Sequence, residues 1–275
     1  MMEITEMELF FRQLPGYLEG LRILHVGDLH TRGYGPHEQQ LHEIMRQGCD
    51  LVLCSGDNCF QRSFSPMENK QVEAMKKWNL SWRGLVLAAE TEKAISVWQK
   101  LLADFTCPLG VYMVQGNHDS GEFLDKMSQR GVTVLANACQ QVKLPHGGRL
   151  NLCGIRGLGR RTADIPETLS HMEPDIFTIG LCHYPEMAEA LAAGGVDLIL
   201  TGHTHGGQLC LPGGRPIITH SQTGRKYLKG LEQLGDSYVY TVRGVGTTFI
   251  PIRMFCPPEV ARITLHRGKS QNDTI

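Results

Sequence analysis

The sequence predicts an α/β fold, and three observations carry that prediction. Short apolar runs rich in β-branched residues recur at "LRILHVGDLH", "DLVLCSGDN", "GVYMVQGNHD", "FTIGLCHYP", "VDLILTGHTH" and "YVYTVRGVG". Segments with helical spacing lie between them, at His37 to Gln47, Glu90 to Phe105, Gly121 to Arg130 and Pro185 to Ala193. Five of the apolar runs close on Asp, Asn or His, and open α/β sheets build their sites beyond the C-terminal ends of their strands.

The strands "DLVLC" and "DLILT" are apolar at successive positions, the pattern of central strands covered on both faces. With 275 residues, 41% hydrophobic and 20% charged, the chain can bury a full core. It shows no internal repeat and no low-complexity linker, so a single domain over residues 1–275 is expected. Residues 62–92 read as an insertion. Val72, Met75, Trp78 or Asn79, and Trp82 fall near helical spacing there, which fits a surface helix on the core or a cap over substrate. The polar stretch 267–275 reads as a flexible tail.

Charge and cysteine usage exclude more than they specify. A formal charge of -1 gives no long-range reason for nucleic acid or an anionic membrane to be the main partner. Nine scattered cysteines without a C-x-x-C pair argue against a disulfide framework or a structural zinc knuckle, and they favour a reducing compartment. The N-terminus "MMEITEMELFFRQLPGY" is acidic where a signal peptide is basic, and no apolar run reaches the length of a membrane span. The expected location is the cytoplasm.

The polar residues at the strand ends form a set. They are "GDLH" (Asp28, His30), "SGDN" (Asp57), "GNHD" (Asn117, His118, Asp119), "CHYP" (His183) and "GHTH" (His203, His205). Singly, each is an ordinary turn or strand-end residue. Together they offer mixed oxygen and nitrogen donors that suit Mn, Fe, Zn or Co and suit neither a thiolate cluster nor calcium. In extended backbone residues i and i+2 point the same way, so Asp-x-His and His-x-His would each aim at one cavity.

This ordered series resembles the calcineurin-like metallophosphoesterase family from about Leu21 to Leu265. With "YLKGL", "YTVRGVG" and "PPEVARITL" it is similar to the bacterial branch of small phosphodiesterases and some UDP-2,3-diacylglucosamine pyrophosphatases of lipid A synthesis. The resemblance implies a four-layer α/β/β/α sandwich, an architecture that the strand pattern alone does not separate from a doubly wound sheet. It also implies two divalent ions, with Mn first among the candidates. Asp28, His30, Asp57 and His205 would hold one; Asp57, Asn117, His183 and His203 would hold the other. Asp57 would bridge them, since a carboxylate can span two ions and an imidazole cannot. A hydroxide between the ions would attack phosphorus in line, and His118 would protonate or stabilise the leaving oxygen.

One departure bears on substrate. Protein-phosphatase relatives carry an Asp three residues after the bridging Asp and a phosphate-gripping Arg beyond it; here Phe60 takes the first place and Arg62 is out of register. A phosphodiester or nucleotide-linked small molecule is therefore the expected substrate, and Asp119 is a candidate support for the site. Arg225, Lys226, Lys229 and Arg243 read as a solvated face or as phosphate contacts. His25, His37, His42, His146, His171, His220 and His266 have no motif partner and read as structural. The lipid A reading needs apolar surface, which "MELFFRQLPGYL" or the aromatic insertion could lend to a peripheral contact with the inner membrane. A non-catalytic scaffold of the same fold is the remaining alternative.

Overall fold

The computed structural model describes residues 1–60, 82–157, 162–219, 221, 223 and 225–268. From the N-terminus run β1 (Glu3–Phe11), β2 (Arg22–Val26), α1 (Pro36–Arg46), β3 (Leu51–Cys54), α2 (Trp82–Leu101), β4 (Val111–Val114) and α3 (Gly121–Ser128). Next come β5 (Thr133–Leu135), β6 (Ala138–Lys143), β7 (Arg149–Gly154), α4 (Ile165–Ser170), β8 (Thr178–Leu181), α5 (Ala188–Ala193) and β9 (Leu198–Thr201). The chain closes with β10 (Cys210–Leu211), β11 (Arg215–Pro216), β12 (Gly230–Leu234), β13 (Ser237–Thr241) and β14 (Glu259–Arg267).

Among the described residues these strands make two six-stranded sheets, ordered β1-β14-β2-β3-β4-β5 and β12-β13-β9-β8-β7-β6, with β10 and β11 as a separate small hairpin. Strands β2 to β5 run parallel, as do β7, β8, β9 and β13. The alternation of side chains resolves the layers. In β2 and β3, Ile23, Leu51 and Leu53 enter the cluster shared with Ile179, Leu181, Leu198 and Leu200 of the opposite sheet. Their neighbours Leu24, Val26, Val52 and Cys54 pack instead on Leu41 and Ile44 of α1, Trp98 of α2 and Phe123 of α3. On the far side Ile199 and Val239 meet Leu191 of α5 and the partly buried Leu169 of α4. The order is helix, sheet, sheet, helix, an α/β sandwich and not a doubly wound single sheet.

Each helix carries local reasons to form. Helix α1 begins with Pro36 at its first position, and the Glu38 side chain accepts the Gly35 N–H at 3.0 Å. Ser120 caps α3 by accepting the Phe123 N–H at 3.1 Å. Helix α2 turns Thr91, Ala94, Ile95, Trp98 and Leu101 inward at helical spacing. It therefore begins inside the 62–92 stretch read as an insertion, and its second half is core. Residues 61–81, with Val72, Met75 and Trp78, lie outside the described residues.

Four expectations are corrected. Arg267 belongs to β14, and the Gly268 N–H donates to the Phe11 carbonyl at 3.0 Å, so the polar tail starts later than residue 267. In the segment "MELFFRQLPGYL", Leu9, Phe11, Leu14 and Leu18 are buried, because β1 joins the sheet beside β14, so these side chains are core and not free apolar surface. Cys139 and Cys153 form a disulfide across directly opposed positions of β6 and β7; hairpin register makes that pair, and no sequence motif marks it. Six of the other cysteines are buried, with Cys107 half-buried. Strands β1, β5, β6, β7, β10, β11, β12 and β14 and helix α4 are additional to the expected elements: most are edge or half-polar segments with weak apolar periodicity, whereas β14 is an inner strand interrupted by Arg262, Thr264 and His266. Among the described residues, no helix is long and apolar enough to cross a membrane.

Trp98 is fully buried and donates its indole N–H to Asn58 Oδ1 at 3.0 Å. Trp98→Ala should lower stability by about 3–5 kcal/mol in urea unfolding, the range for emptying a large aromatic site.

Candidate metal centre

Loops at the ends of five parallel strands meet where the two sheets share an edge. The first sheet delivers Asp28 and His30 after β2, Asp57 after β3, and Asn117, His118 and Asp119 after β4. The second delivers His183 after β8 and His203 and His205 after β9. Cross-sheet hydrogen bonds fasten the seam. The His203 N–H donates to the Asp28 carboxylate at 2.9 and 3.1 Å, and His183 Nδ1 lies 2.8 Å from the Ser55 carbonyl.

The converging pairs are not built by strand alternation, as the spacing suggested. Asp28, His30, Asp57, His203 and His205 all have left-handed backbone, with φ of 47°, 37°, 56°, 72° and 52°. That conformation costs non-glycine residues roughly 1–2 kcal/mol each. It turns each side chain back across the strand ends, and such strain persists only where the surroundings over-determine it. Two glycines show how tight the surroundings are. A Cβ on Gly116 would strike the Asp57 carboxylate, and one on Gly202 would strike that of Asp28.

Asp119 is the clamp of the first-sheet loops. Its oxygens accept the backbone N–H groups of Asp57 (2.9 Å), Asn58 (2.7 Å), Cys59 (3.1 Å) and Gly116 (3.0 Å). Burial and the Asp57 charge push its carboxyl up, and those N–H groups pull it back. The Asn58 amide bonds Asp119 on one side and the Trp98 indole on the other, so α2 braces the same loop. The His118 N–H donates to Asp57 Oδ1 at 2.7 Å.

Three groups of side chains have ligand-capable atoms within 4.8 Å of one another: Asp28, His30 and His205; His30, Asp57 and His118; Asp57, His183 and His203. Asp57 Oδ2 lies 3.4 Å from His30 Nε2 and 3.3 Å from His183 Nε2, and Asp28 Oδ1 is 3.4 Å from His205 Nε2. Asn117 Oδ1 sits 3.0 Å from His183 Nε2 and accepts the Tyr184 hydroxyl at 3.2 Å. Asp28, His30, Asp57, His118, His183, His203 and His205 fall in these groups, and Asn117 joins them only through His183. The residues fit a cation: both ring nitrogens of His30 are buried without a hydrogen bond, a cost that a metal at the cluster would offset. The donors are oxygen and imidazole nitrogen, as Mn, Fe, Zn or Co would use.

Electrostatics prepares the same atoms. Burial holds His30 and His203 down at about 3 and His205 well below its usual value, so these imidazoles are neutral. Burial would also depress His183, but the Asp57 charge and hydrogen bond carry it up to about 9. Burial would raise Asp57, yet His183 and His30 hold it well below the usual carboxylate range; Asp28 is raised by burial to about 7. The carbonyl of Ser55 takes the Nδ1 proton of His183 and leaves Nε2 facing the cluster.

Several supports escaped the sequence. Arg253, half-buried among the backbone carbonyls of Arg243, Gly244 and Gly246, reaches His205 Nδ1 at 3.2 Å and the His205 carbonyl at 3.2 Å. A lone arginine within the apolar run "FIPIRMF" was its only signal. Ser55 also bonds buried His25 Nε2 at 3.1 Å, so His25 is structural as expected. Arg243 is no solvated cation: it pairs with Glu259 at 2.8 Å and Glu3 at 2.6 Å. Lys226 pairs with Glu189, and Lys229 donates to the Gly214 carbonyl at 2.8 Å. His220 lies outside the described residues.

Comparison with known proteins decides the family. The Calcineurin-like phosphoesterase family model matches residues 21–207, more than half of the chain. The chain belongs to that family. It is 28% identical over 273 residues to the metallophosphoesterase YkuE of Bacillus subtilis, covering 96% of this chain and 86% of that one. It is 32% identical over 158 residues to Phosphodiesterase YaeI of Escherichia coli, covering 54% of this chain and 56% of that one. A metallophosphoesterase of Helicobacter pylori is 30% identical over 253 residues, with 88% of this chain and 57% of that one covered. Among solved structures, calcineurin-like phosphoesterase YfkN of Bacillus subtilis aligns at a TM-score of 0.39 and 16% identity, covering 81% of this chain and 88% of that one. As a member of this calcineurin-like family with clustered metal ligands, the chain is a metal-dependent phosphoric ester hydrolase.

Two outcomes follow from the geometry. Asp119→Ala strands four buried N–H donors and should cost about 3 kcal/mol or more in urea unfolding. Cation uptake at neutral pH should release protons, because His183, raised to about 9, and Asp28, raised to about 7, must give theirs up. Affinity should fall as pH falls. Titration calorimetry in buffers of different ionisation enthalpy reads this directly, and a buffer-independent heat contradicts it.

Proposed function

We propose that this calcineurin-like enzyme uses two divalent cations, Mn foremost, to hydrolyse phosphodiester or pyrophosphate bonds. The observation that carries the reading is the position of Asp57, whose Oδ2 lies within 3.4 Å of His30 on one side and His183 on the other. Asp28, His30, Asp57 and His205 would hold one ion, and Asp57, Asn117, His183 and His203 the other. Bound there, the ions supply positive charge for the phosphoryl oxygens and acidify water for in-line attack.

The chain's own residues do the rest. Neutral His30, His203 and His205 present nitrogen lone pairs, and ionised Asp57 neutralises charge on both sides of the seam. His118 stands against His30 with ring centroids 4.8 Å apart and is only partly buried. There its imidazole can give a proton to the leaving oxygen. Phe60 occupies the place of the protein-phosphatase Asp and stacks its ring 4.0 Å from the Arg32 guanidinium. That arrangement, with the name of the Escherichia coli relative, favours diesters over phosphoserine.

The test is hydrolysis of bis-p-nitrophenyl phosphate and p-nitrophenyl phosphate by metal-stripped protein refilled with Mn. Asp57→Asn should abolish diester turnover together with metal retention. His118→Ala should keep its metal and lose about 10²- to 10⁴-fold in kcat, the usual span for a positioned acid. Folded protein that hydrolyses neither ester with any refilled metal overturns the proposal.

A further inference from the structure

The exposed apolar residues of this protein are not scattered. Of the eleven large hydrophobic side chains that are exposed among the described residues, eight lie in two short stretches: Leu211, Ile217 and Ile218, and Phe249, Ile250, Ile252, Met254 and Phe255. Phe249, Ile252 and Phe255 are 65%, 56% and 57% exposed. The two stretches are one surface. Leu209 bridges Met254, the Cys210 N–H donates to the Met254 carbonyl at 2.9 Å, and the Ile217 N–H donates to the Leu209 carbonyl at 3.0 Å. The Gln208 amide holds the second stretch from within, donating to the carbonyls of Thr248 at 3.0 Å and Ile250 at 2.8 Å.

This lip is held outward by design of its backbone. Phe249 and Phe255 have φ of 52° and 49°, a conformation that bulky residues avoid and that here keeps their rings off the core. It is also joined to the metal centre, since Arg253 rises from the middle of the second stretch to the His205 carbonyl. Residues 208–226 and 243–258 contain five Lys and Arg and no Asp or Glu. Lys226 is paired with Glu189, Arg243 with Glu3 and Glu259, and Arg253 is turned onto backbone carbonyls, which leaves Arg215 and Arg225 as the exposed arginines. Arg215 stands exposed at the tip of the β10–β11 hairpin, between Leu211 and Ile217.

Contiguous exposed apolar surface of this kind marks an interaction site, and the partner must accept aliphatic and aromatic side chains together with the exposed Arg215 and Arg225. We propose that the lip docks on an anionic lipid bilayer, with its apolar side chains entering the headgroup and acyl boundary and Arg215 and Arg225 facing lipid phosphates. Docking in this way sets the His205 side of the metal centre at the interface, where a phosphoester carried by a lipid would be presented. The proposal concerns the surface and stands whether the bond cleaved is a diester or a pyrophosphate.

The experiment is co-sedimentation of the full chain with vesicles of equimolar phosphatidylcholine and phosphatidylglycerol, and with phosphatidylcholine alone, at low and high salt. Binding should require the anionic lipid and weaken with salt. Ile252→Ser with Phe255→Ser should cut the bound fraction by about tenfold, and Arg215→Glu should weaken binding to anionic vesicles alone. Hydrolysis of soluble bis-p-nitrophenyl phosphate by these variants should stay unchanged, which also reports their folding. As an independent reading, Ile252→Trp should shift its emission to the blue on anionic vesicles. Full recovery in the supernatant, an unshifted Trp emission, or equal binding to phosphatidylcholine overturns the proposal. So does concentration-dependent dimerisation abolished by Ile252→Ser with Phe255→Ser, which would make the lip a contact between copies of the chain.

Discussion

Two carboxylates buried at the meeting edge of two sheets are the constraint to which the rest of the structure answers. Asp28 and Asp57 are almost without solvent, and like charges so placed are tolerated only with donors and cations close by. Each is reached from across the seam. The His203 N–H and His205 ring reach Asp28 from the second sheet, while the His118 N–H and the His30 and His183 rings reach Asp57. The sandwich brings these groups together because the parallel strands of both sheets end at the same edge. Packing energy from the apolar layers thus holds a cluster that its own polar chemistry would not assemble.

The left-handed backbones at the ligands are the local counterpart of this constraint. A ligand on extended backbone would keep its side chain perpendicular to the sheet. A left-handed residue just past the strand end takes its side chain out of that alternation. The strain is borne by anchors further out: the Asp119 carboxylate under the loops after β3 and β4, Asn58 and Trp98 beneath them, and Arg253 under His205. Asp119, Asn58 and Trp98 hold the backbone of those loops and Arg253 holds His205, so they bear on the separation of the candidate ligating atoms. In two-metal chemistry that separation decides whether one carboxylate can serve both ions.

The apolar lip and the metal centre share Arg253 and the turn at His205, so one set of backbone bonds supports both. The functional geometry therefore extends well beyond the sheet edge. The loops after β9 and β13 carry ligands or ligand supports on their inner side and apolar side chains on their outer side.

By itself the sequence determined which polar residues gather at the strand ends. Asp28, His30, Asp57, Asn117, His118, His183, His203 and His205 were legible because each follows a strongly apolar strand and carries a short motif, and strand-end position survives any packing of the sheets. The central parallel strands and the four longest helical segments were legible for the same reason, their periodicity being local. Tertiary structure alone decided how the pairs converge, since a positive φ at an Asp or His leaves no mark on residue type. It alone showed Asp119 as a clamp, Cys139 facing Cys153, and the edge strands, because these depend on register between segments far apart in sequence. It alone exposed the lip, because the exposure of Ile217, Ile252 and Phe255 follows from loops anchored through Gln208 and Leu209 and not from any local periodicity.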